Sequence, residues 1–323
     1  IMREIRVGKN DAGQRLDKFL SKTLRTLPQS LLYKSIRLKK IKVNRRRATP
    51  SQILAEGDSL QLFLAEEFFA PGARRAGASL ARTHAPLDIL YEDSEILLLH
   101  KRPGLSVHEG AEADGEHLLG QVQAYLYSRG EYDPDREQSF APALCNRIDR
   151  NTEGIVIAAK TAEALRTMDE KIRAREVKKF YLAVVHGTPT PREATLSGYL
   201  LKDAEENRVR VYDAHPPRGA KEILTRYRVL ETRGDLSLVE IELLTGRTHQ
   251  IRAHMAHIGH PLLGDGKYGV NRADRARGYS HQALCAYRVR FDFSETPTVL
   301  DPLRGREFAI PREDIYFVKE LFS

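Results

Sequence analysis

The chain has 323 residues, 41% of them hydrophobic, which is enough for about two domains with buried cores. No apolar run approaches the roughly 20 residues of a membrane-spanning helix, and no amino-terminal segment has the pattern of a signal peptide. The two cysteines, Cys145 and Cys285, are too few for a disulfide framework. We therefore expect a cytoplasmic protein without a membrane partner, and we expect it to be a monomer.

The excess positive charge is concentrated at the amino-terminal end of the chain. The net charge is +8, but residues 1–64 alone contain 15 Lys or Arg against 5 Asp or Glu, which gives +10. The remaining 259 residues therefore carry about −2 by subtraction. This asymmetry favours a separate nucleic-acid-binding module over a solvated basic face without a partner.

The first 64 residues also have the pattern of two helices followed by short strands. Apolar side chains recur at helical spacing in residues 15–27, Pro28 ends that helix, and a second helix begins near Ser30. Alternating residues predict short strands at 41–43 and 59–64. A stretch without acids supplies the cations that we assign to RNA binding: Lys34, Arg37, Lys39, Lys40, Lys42, Arg45, Arg46 and Arg47. A basic helical hairpin for protein contact is the alternative.

The rest of the chain predicts a linker and a larger domain. Residues 65–86 mix Pro, Gly, Ala, Ser and Arg without apolar periodicity, as in a linker. Further on, strands are predicted at 96–99, 155–159, 180–185, 223–231 and 236–244, and helices near 116–129 and 161–173. No regular βαβ alternation is present, which favours an α+β domain with a mixed, largely antiparallel sheet flanked by helices. We therefore predict a module at 1–64, a linker at 65–86 and a catalytic domain at 87–323.

Residues 144–160, LCNRIDRNTEGIVIAAK, are the most informative stretch of the sequence. One carboxylate, Asp149, lies between Arg147 and Arg150, and the apolar run 155–159 that follows predicts a buried strand. The acid is thus expected on a loop at the mouth of a rigid element, where functional groups usually lie. Two flanking guanidiniums favour its ionised form, which suits a nucleophile facing a polyanion. An ordinary surface ion-pair network is the other interpretation of this spacing.

This stretch resembles the HRLDxxTSG motif of the RluA-type pseudouridine synthases. Four positions of the motif are kept, namely Arg147, Asp149, Thr152 and Gly154. Three positions depart from it, namely Asn146 for His, Ile148 for Leu and Glu153 for Ser. Asn146 keeps a hydrogen-bonding side chain but has no titratable ring, which argues against proton transfer at this position.

Three further segments resemble motifs of the same family, in the family's order. Residues 92–110 resemble the segment that ends in NKPxGxxVH, with His100 in place of Asn. Residues 178–187, KKFYLAVVHG, resemble KxYxAxVxG and supply Tyr181. Residues 245–269 match GRTHQIRxHxxxxGHPxxGDxxYG at nearly every position. One short motif is weak evidence, but four in order identify the chain as a member of this family.

The resemblance implies a pseudouridine synthase fold and the isomerisation of uridine to pseudouridine in structured RNA. The bond from ribose to the base nitrogen breaks, the uracil turns, and it rejoins through carbon five, so we expect no cofactor and no metal. The RLDKFL opening and the KVN segment resemble the RNA-binding module named after ribosomal protein S-four. Together with the length, this module resembles the RluC- and RluD-like subgroup acting on large-subunit ribosomal RNA, and a tRNA is the alternative target.

The resemblance also assigns roles within the candidate site. Asp149 would act covalently or take a sugar proton once the target base has left its stack. Tyr181 would face the active site and stack on the flipped base. Arg247 directly follows a glycine and its fork can hold a carboxylate by two bonds, so we assign it as the partner of Asp149, with Arg252 as substitute. The remaining predicted RNA contacts of the domain are Arg147, Arg252, Lys101 and His108.

Alternative functions stay open at this point. His249, His254, His257 and His260 suggest a metal site, but no HExxH pattern is present and neither cysteine has a CxxC partner, so we predict none. A non-catalytic RNA-binding assembly factor is possible if Asp149 is dispensable. A carboxylate-dependent glycosidase acting on nucleic acid would usually need a second acid, and none stands out. Mapping pseudouridines in ribosomal RNA would separate these functions.

Overall fold

The computed structural model describes residues 2–69, 80–81, 86–108, 116–203 and 205–323. Most of the predicted linker, 70–79 and 82–85, lies outside the described residues. The chain divides into two compact units: the first is Ile1–Pro86, Leu119–Ala143 and Ala159–Leu165, and the second is Leu87–Leu118, Leu144–Ala158 and Arg166–Ser323. The boundaries predicted at 64 and 86 stay a prediction. Within the described ranges, the helices are all too short or too polar to cross a membrane.

In the first unit, a small antiparallel sheet packs against two helices. The helices are α1 (Leu16–Thr23) and α2 (Gln29–Arg37). The second helix begins near Ser30 as predicted, but the first ends at Thr23, before the predicted stop at Pro28, which instead caps the start of α2. The strands are β1 (Met2–Arg6), β2 (Ile41–Val43), β3 (Arg46–Arg47) and β4 (Ser59–Phe63), in the order β1-β4-β2-β3. The apolar faces of both helices and of β2 and β4 form one buried core, which includes Phe19, Leu32 and Leu60.

Hydrogen bonds tie the amino-terminal residues to a later part of the same unit. The side chain of Gln14 donates to Ser139 Oγ at 2.8 Å, and Ser139 in turn donates to Asp11 Oδ1 at 2.5 Å. The side chain of Gln138 donates to the Arg6 carbonyl at 2.7 Å. Removal of residues 1–64 would therefore leave polar groups in the rest of this unit without their partners. The role of the basic residues is better tested by substitution.

An eleven-stranded sheet forms the frame of the second unit. Its strands are β5 (Ile89–Glu92), β6 (Ile96–Lys101), β7 (Ala143–Leu144), β8 (Glu153–Ala159), β9 (Val177–His186), β10 (Glu193–Asp203), β11 (Arg208–Tyr212), β12 (Lys221–Arg233), β13 (Leu236–Leu243), β14 (Leu284–Phe291) and β15 (Glu307–Ala309). The order is β11-β10-β12-β13-β9-β14-β8-β6-β5, with β15 beside β14 and β7 beside β8. The run from β11 to β14 is antiparallel, whereas β14 and β8 are parallel. This confirms the predicted mixed, largely antiparallel sheet.

The remaining α-helices of the described residues occur between the strands and at the end of the chain. They are α3 (Leu118–Ser128), α4 (Ala162–Arg173), α5 (Gln250–His257), α6 (Arg272–Ala276) and α7 (Tyr316–Leu321). The helices predicted near 116–129 and 161–173 correspond to α3 and α4 within about two residues at each end. The short helix α5 is almost wholly buried and comes after β13 in the chain. Its Ala253 packs against Leu200 of β10, Val209 of β11 and Ile223 of β12.

Close packing of β8 on β14 fixes where the preceding loop emerges. All seven residues of β8 are buried. Gly154 has φ +136°, and a Cβ at this position would lie 2.5 Å from the backbone N and O of Ala286 in β14. Only glycine permits this approach, because it lacks the Cβ and tolerates positive φ. The glycine of the motif therefore serves to place the loop that carries Asp149.

Candidate active site

Asp149 lies on the tight loop between β7 and β8. The Thr152 amide donates to the Asp149 carbonyl at 3.0 Å, which closes a turn, and the buried side chain of Ile148 anchors the loop from below. The Asp149 side chain is 28% exposed, so it is reachable from solvent yet held on one side by protein. This agrees with the expectation of an acid at the mouth of a rigid strand.

Arg252 of α5 orients the carboxylate of Asp149. Its Nη1 donates to Asp149 Oδ2 at 2.8 Å, while Nε and Nη2 donate to Asp265 Oδ2 at 2.7 Å and Oδ1 at 2.9 Å. The guanidinium is only 9% exposed and Asp265 is fully buried. The two-bond fork on Asp265 fixes the plane of the guanidinium, and its remaining edge then faces Asp149.

Electrostatics keep this arrangement ionised. Burial alone would lower the pKa of Arg252, but hydrogen bonds and charges from Asp265 and Asp149 raise that pKa above its ordinary value. For Asp265 the directions are reversed: burial alone would raise its pKa, but the hydrogen bonds from Arg252 lower it. The backbone amides of Lys267 and Tyr268 also donate to Asp265 Oδ1, at 2.9 and 3.2 Å. The buried acid is therefore a fully bonded anion, and it holds the arginine in place.

His249 and Tyr268 form the second wall around Asp149. His249 Nε2 lies 3.8 Å from Asp149 Oδ2, and its Nδ1 is hydrogen-bonded to the Tyr268 hydroxyl at 2.8 Å. The Tyr268 ring lies 5.3 Å from the Arg252 guanidinium, a distance typical of a cation–π contact. Burial lowers the pKa of His249, which favours its neutral form near pH 7. Neither residue was predicted as a neighbour of Asp149, although both lie in the motif at 245–269.

Tyr181 of β9 lines the same cleft as Asp149. Its ring is buried, and burial together with the negative charge of Asp149 raises the pKa of its hydroxyl. The raised pKa favours the neutral phenol near pH 7. The location agrees with the prediction, and the stacking role stays a prediction.

The cleft is large, open and strongly basic. Its volume is about 1270 Å³, beyond the range of typical small-ligand pockets. Nine Lys or Arg and two acids, Asp149 and Glu206, line it. Such a groove suits a polyanion rather than a small metabolite. Among the described residues, His, Cys, Asp and Glu nowhere form a group of three or more that could hold a metal ion.

Comparison with known proteins agrees with this geometry. Residues 95–257 match the family model described as RNA pseudouridylate synthase. The chain belongs to this family. It is 31% identical over 307 residues to the ribosomal large subunit pseudouridine synthase C of Yersinia pestis, which covers 92% of this chain and 89% of that protein.

Two further relatives support the assignment. The protein of the same name from Vibrio cholerae is 34% identical over 275 residues, covering 84% of this chain and 81% of its own length. Among solved structures, human RNA pseudouridylate synthase domain containing 1 is similar with a TM-score of 0.54 and 25% sequence identity. That similarity covers 70% of this chain and 83% of the human chain. Sequence and fold therefore point to one family.

The assignment of Arg247 as the partner of Asp149 was wrong, and its substitute Arg252 takes that place. Arg247 is exposed on the turn before α5, and in the described part of the chain no hydrogen bond or ion pair joins its side chain to Asp149. Its backbone amide instead donates to Gln250 Oε1 at 3.0 Å. Arg252 lies within the helix, flanked by buried neighbours, and so it points inward.

The assignment of Lys101 as an RNA contact was also wrong. Its side chain is 1% exposed, and Nζ donates to the carbonyls of Arg102 at 2.9 Å and Arg150 at 2.8 Å. Burial lowers the pKa of Lys101 to about 8, although Asp149 and Glu153 act in the opposite direction. Lys101 therefore binds the loop that carries Asp149 through the Arg150 carbonyl. Because the lysine is buried, RNA cannot contact its side chain.

The prediction of Arg252 as an RNA contact was wrong as well, because its side chain is 9% exposed and is bound to Asp265 and Asp149. The remaining predicted RNA contacts lie at surfaces that RNA can reach. Arg147 is exposed and, with His108, lines the cleft of Asp149. Burial lowers the pKa of His108, and the charge of Arg147 acts in the same direction. In the first unit the eight assigned cations lie on α2 and around β2 and β3, and all except the half-buried Lys42 are exposed. Their contacts with RNA stay a prediction.

Three residues that differ from the family motifs, Asn146, His100 and Glu153, form hydrogen bonds or close polar contacts within the protein. Asn146 Oδ1 accepts from the Ile157 amide at 2.7 Å, and its Nδ2 donates to the Ile155 carbonyl at 3.2 Å, so it pairs with the edge of β8. His100 Nε2 and Glu153 Oε1 are 2.7 Å apart, and both side chains are buried. Two departures from separate motifs thus meet as one buried pair, which only the three-dimensional structure reveals.

Proposed function

We propose that this protein converts uridine to pseudouridine in large-subunit ribosomal RNA, with Asp149 as its catalytic carboxylate. One observation carries the proposal: Asp149 is aimed into a basic cleft by Arg252, which is itself fixed on the buried Asp265. A carboxylate that is ionised, oriented and reachable is what attack on a uridine requires. The family membership of the chain and the names of its relatives support the reaction and the RNA class.

The residues around Asp149 divide the work of the isomerisation. A base flipped out of its stack would enter the cleft and lie against the ring of Tyr181. Asp149 would then act at the uracil ring, at the sugar carbon, or on a sugar proton, and each route needs the carboxylate in the position in which Arg252 holds it. The bond between sugar and nitrogen breaks and a bond to carbon five forms. Carbon five loses its proton and the released ring nitrogen gains one, so the uridine is isomerised with no net change in oxidation state. Arg147, at the exposed edge of the cleft, would fill the space that the base leaves.

The first unit would supply affinity for the RNA backbone. Its two helices, short strands and exposed cations support the interpretation of residues 1–64 as an RNA-binding module similar to that of ribosomal protein S-four. Lys and Arg that contact phosphates release counterions and so bind without regard to sequence. We also expect a monomer that acts in the cytoplasm, and light scattering after gel filtration tests the oligomeric state.

The test is to map pseudouridines after incubation with RNA. Large-subunit ribosomal RNA transcribed in vitro, which lacks modifications, would be treated with the protein, and carbodiimide adducts would be located by primer extension. We expect modification at one or a few uridines, and none with Asp149→Asn. A set of tRNA transcripts serves as the comparison. Modification of the tRNAs alone would contradict the ribosomal target, and no modification in either RNA would contradict the reaction.

A further inference from the structure

A lysine without an assigned role lies next to Tyr181 in the cleft. Lys179 precedes Tyr181 by two residues on β9, so the two side chains lie on the same face of the sheet, about 7 Å apart along the strand. Both line the cleft that contains Asp149. Lys178, between Val177 and Lys179, points to the other face by the same alternation.

Lys179 is half-buried, and among the described residues its ammonium has no counterion. In the described ranges of the chain, its Nζ forms no hydrogen bond or ion pair, and burial lowers its pKa. Other buried lysines differ: Lys101 donates to two carbonyls, and Lys171 pairs with Glu176 at 2.7 Å. A partly desolvated cation without a partner is energetically unfavourable, which points to an anion that completes the site.

The two acids of the adjacent strand β13 are already paired with arginines, and they lie on the opposite face of the sheet from Lys179. Glu242 pairs with Arg226 at 3.0 Å, and Glu240 pairs with Arg288 at 2.8 Å. In the register of β9 and β13, Tyr181 is opposite Ile241, so the two glutamates flank it on the other face. No acid of β13 therefore serves Lys179, and the anion must come from outside the sheet.

The surroundings of Lys179 leave room for such a ligand. A Cβ at Gly246 would lie 3.5 Å from Lys179 Nζ, so the ammonium lies beside the turn that leads into α5. A glycine at this turn keeps the space next to the ammonium open. Arg252 on the following helix is already bound to Asp265 and Asp149, so it has no free edge for a phosphate.

We propose that Lys179 binds a phosphate of the RNA backbone next to the target uridine and so positions the flipped nucleotide against Tyr181. This rests on the proposed function. A nucleotide whose base lies on Tyr181 has its own phosphates within reach of a lysine side chain on the same face. Lys179 is thus a positioning residue: it holds the substrate, while Asp149 reacts with it.

The test combines substitutions of Lys179 with neutralised phosphates. The substrate is a ribosomal RNA fragment that carries the modified uridine, with a methylphosphonate at each flanking phosphate in turn. For Lys179→Met we expect KM to rise about tenfold and kcat to change less than about threefold, because one charge-assisted hydrogen bond is removed. At one position, the methylphosphonate should weaken binding by the wild type but cause no further loss of affinity in Lys179→Met.

Matched variants separate this role from a structural one. Lys178→Met removes a neighbouring charge on the opposite face and should leave KM unchanged, while Lys179→Arg should retain most of the affinity. Binding measured in the Asp149→Asn background does not depend on turnover, and there Lys179→Met should reduce the logarithmic salt slope by somewhat less than one unit. Thermal unfolding of each variant identifies any that fails to fold.

Two results would overturn the proposal. In the first, each methylphosphonate lowers the affinity of Lys179→Met by the same factor as that of the wild type, so the effects of the substitution and of the methylphosphonate are additive at every position. The other is a fall in kcat with unchanged KM and salt slope, which would assign Lys179 to the base rather than the backbone. If no uridine is modified at all, the proposed function fails, whereas the salt slope of ribosomal RNA binding still decides the role of Lys179.

Discussion

Cations occur in two regions of this protein, and the regions use them in opposite ways. In the first unit, the basic residues between Lys34 and Arg47 are nearly all exposed, and within the described residues they form no ion pair. In the second unit, Arg252 is buried, and its three guanidinium nitrogens donate hydrogen bonds to two carboxylates. Exposed cations attract RNA at long range, whereas a buried arginine sets the position of one acid. The net charge of a segment indicates exposed cations such as those of the first unit. It does not reveal a buried arginine that is paired with acids.

The two regions should therefore respond differently to salt and to substitution. Interactions between exposed charges are screened over about 8 Å at physiological ionic strength, and buried pairs are screened much less. Removing one exposed cation weakens binding gradually. Removing one partner of a buried pair leaves an uncompensated charge and costs about 3–5 kcal/mol. Substitutions in each region can break or sharpen this contrast.

Asp149→Asn should have the largest effect. The amide keeps the size of the side chain but removes the negative charge, so we expect turnover to fall by at least about 10⁴-fold, as for other covalent or proton-abstracting groups. RNA affinity should change less than about threefold, because Asp149 contributes no attraction to phosphates. Single-turnover assays and filter binding measure both quantities. Retained turnover within about tenfold of wild type would rule out the assigned role.

Arg252→Lys should come next. Lysine keeps the charge but cannot bind Asp265 by two bonds and Asp149 by a third, so the acid loses its orientation. We expect a loss of about 10²-fold in kcat with little change in RNA affinity. Arg247→Lys is the matched control, since Arg247 is exposed on the preceding turn. If the two substitutions had equal effects on kcat, the pairing seen in the structure would not be the functional one.

The buried pair of His100 and Glu153 should show coupling. His100→Asn and Glu153→Ser each restore the usual residue of the family motif but remove the 2.7 Å contact. Glu153 then keeps only its 3.4 Å contact with Arg102, and His100 keeps only its 3.2 Å contact with Asp88, so each substitution should cost about 1–3 kcal/mol of unfolding free energy. The double substitution should cost less than the sum of the two. Denaturant unfolding of all four proteins measures the difference. Strictly additive effects would show that the 2.7 Å contact contributes nothing to stability.

Exposed cations of the first unit should have the smallest effect on chemistry. Replacing Lys39, Lys40, Arg45 and Arg46 by Gln should lower the logarithmic salt slope of RNA binding by somewhat less than one unit for each phosphate that is no longer neutralised. The kcat at saturating RNA should not change, and each substitution should alter stability by no more than about 0.5 kcal/mol. An unchanged slope would show that RNA docks elsewhere.

Sequence motifs predicted most of the frame and the identity of the acid. The strands around 155–159 and 180–185 follow from apolar runs, and Asp149 and Tyr181 follow from motifs whose positions are fixed relative to those strands. The choice between Arg247 and Arg252 could not be made, because both lie in one motif and only the start of α5 decides which points inward. Lys101 was misassigned because its match to a family motif does not reveal its burial, and in the structure its side chain is 1% exposed.

Contacts between distant motifs were beyond the reach of the sequence alone. His100 and Glu153 are 53 residues apart in the chain, and neither has a local pattern that indicates the other. Their contact depends on the neighbouring positions of β6 and β8 in the sheet, which no single motif specifies. The same holds for Asp265, whose role depends on a loop that returns to α5 after the helix has ended.

The shared arginine joins two loops that are far apart in the chain. Arg252 binds Asp149 on the loop before β8 and Asp265 on the loop after α5, so neither loop can shift without breaking a bond to the same side chain. The carboxylate of Asp149 is thus ordered in the free protein, and the entropy cost of ordering it is met during folding rather than when RNA binds. With Asp149 as the proposed catalytic group, discrimination among uridines would then depend on the step that still varies, which is how readily each base leaves its helix.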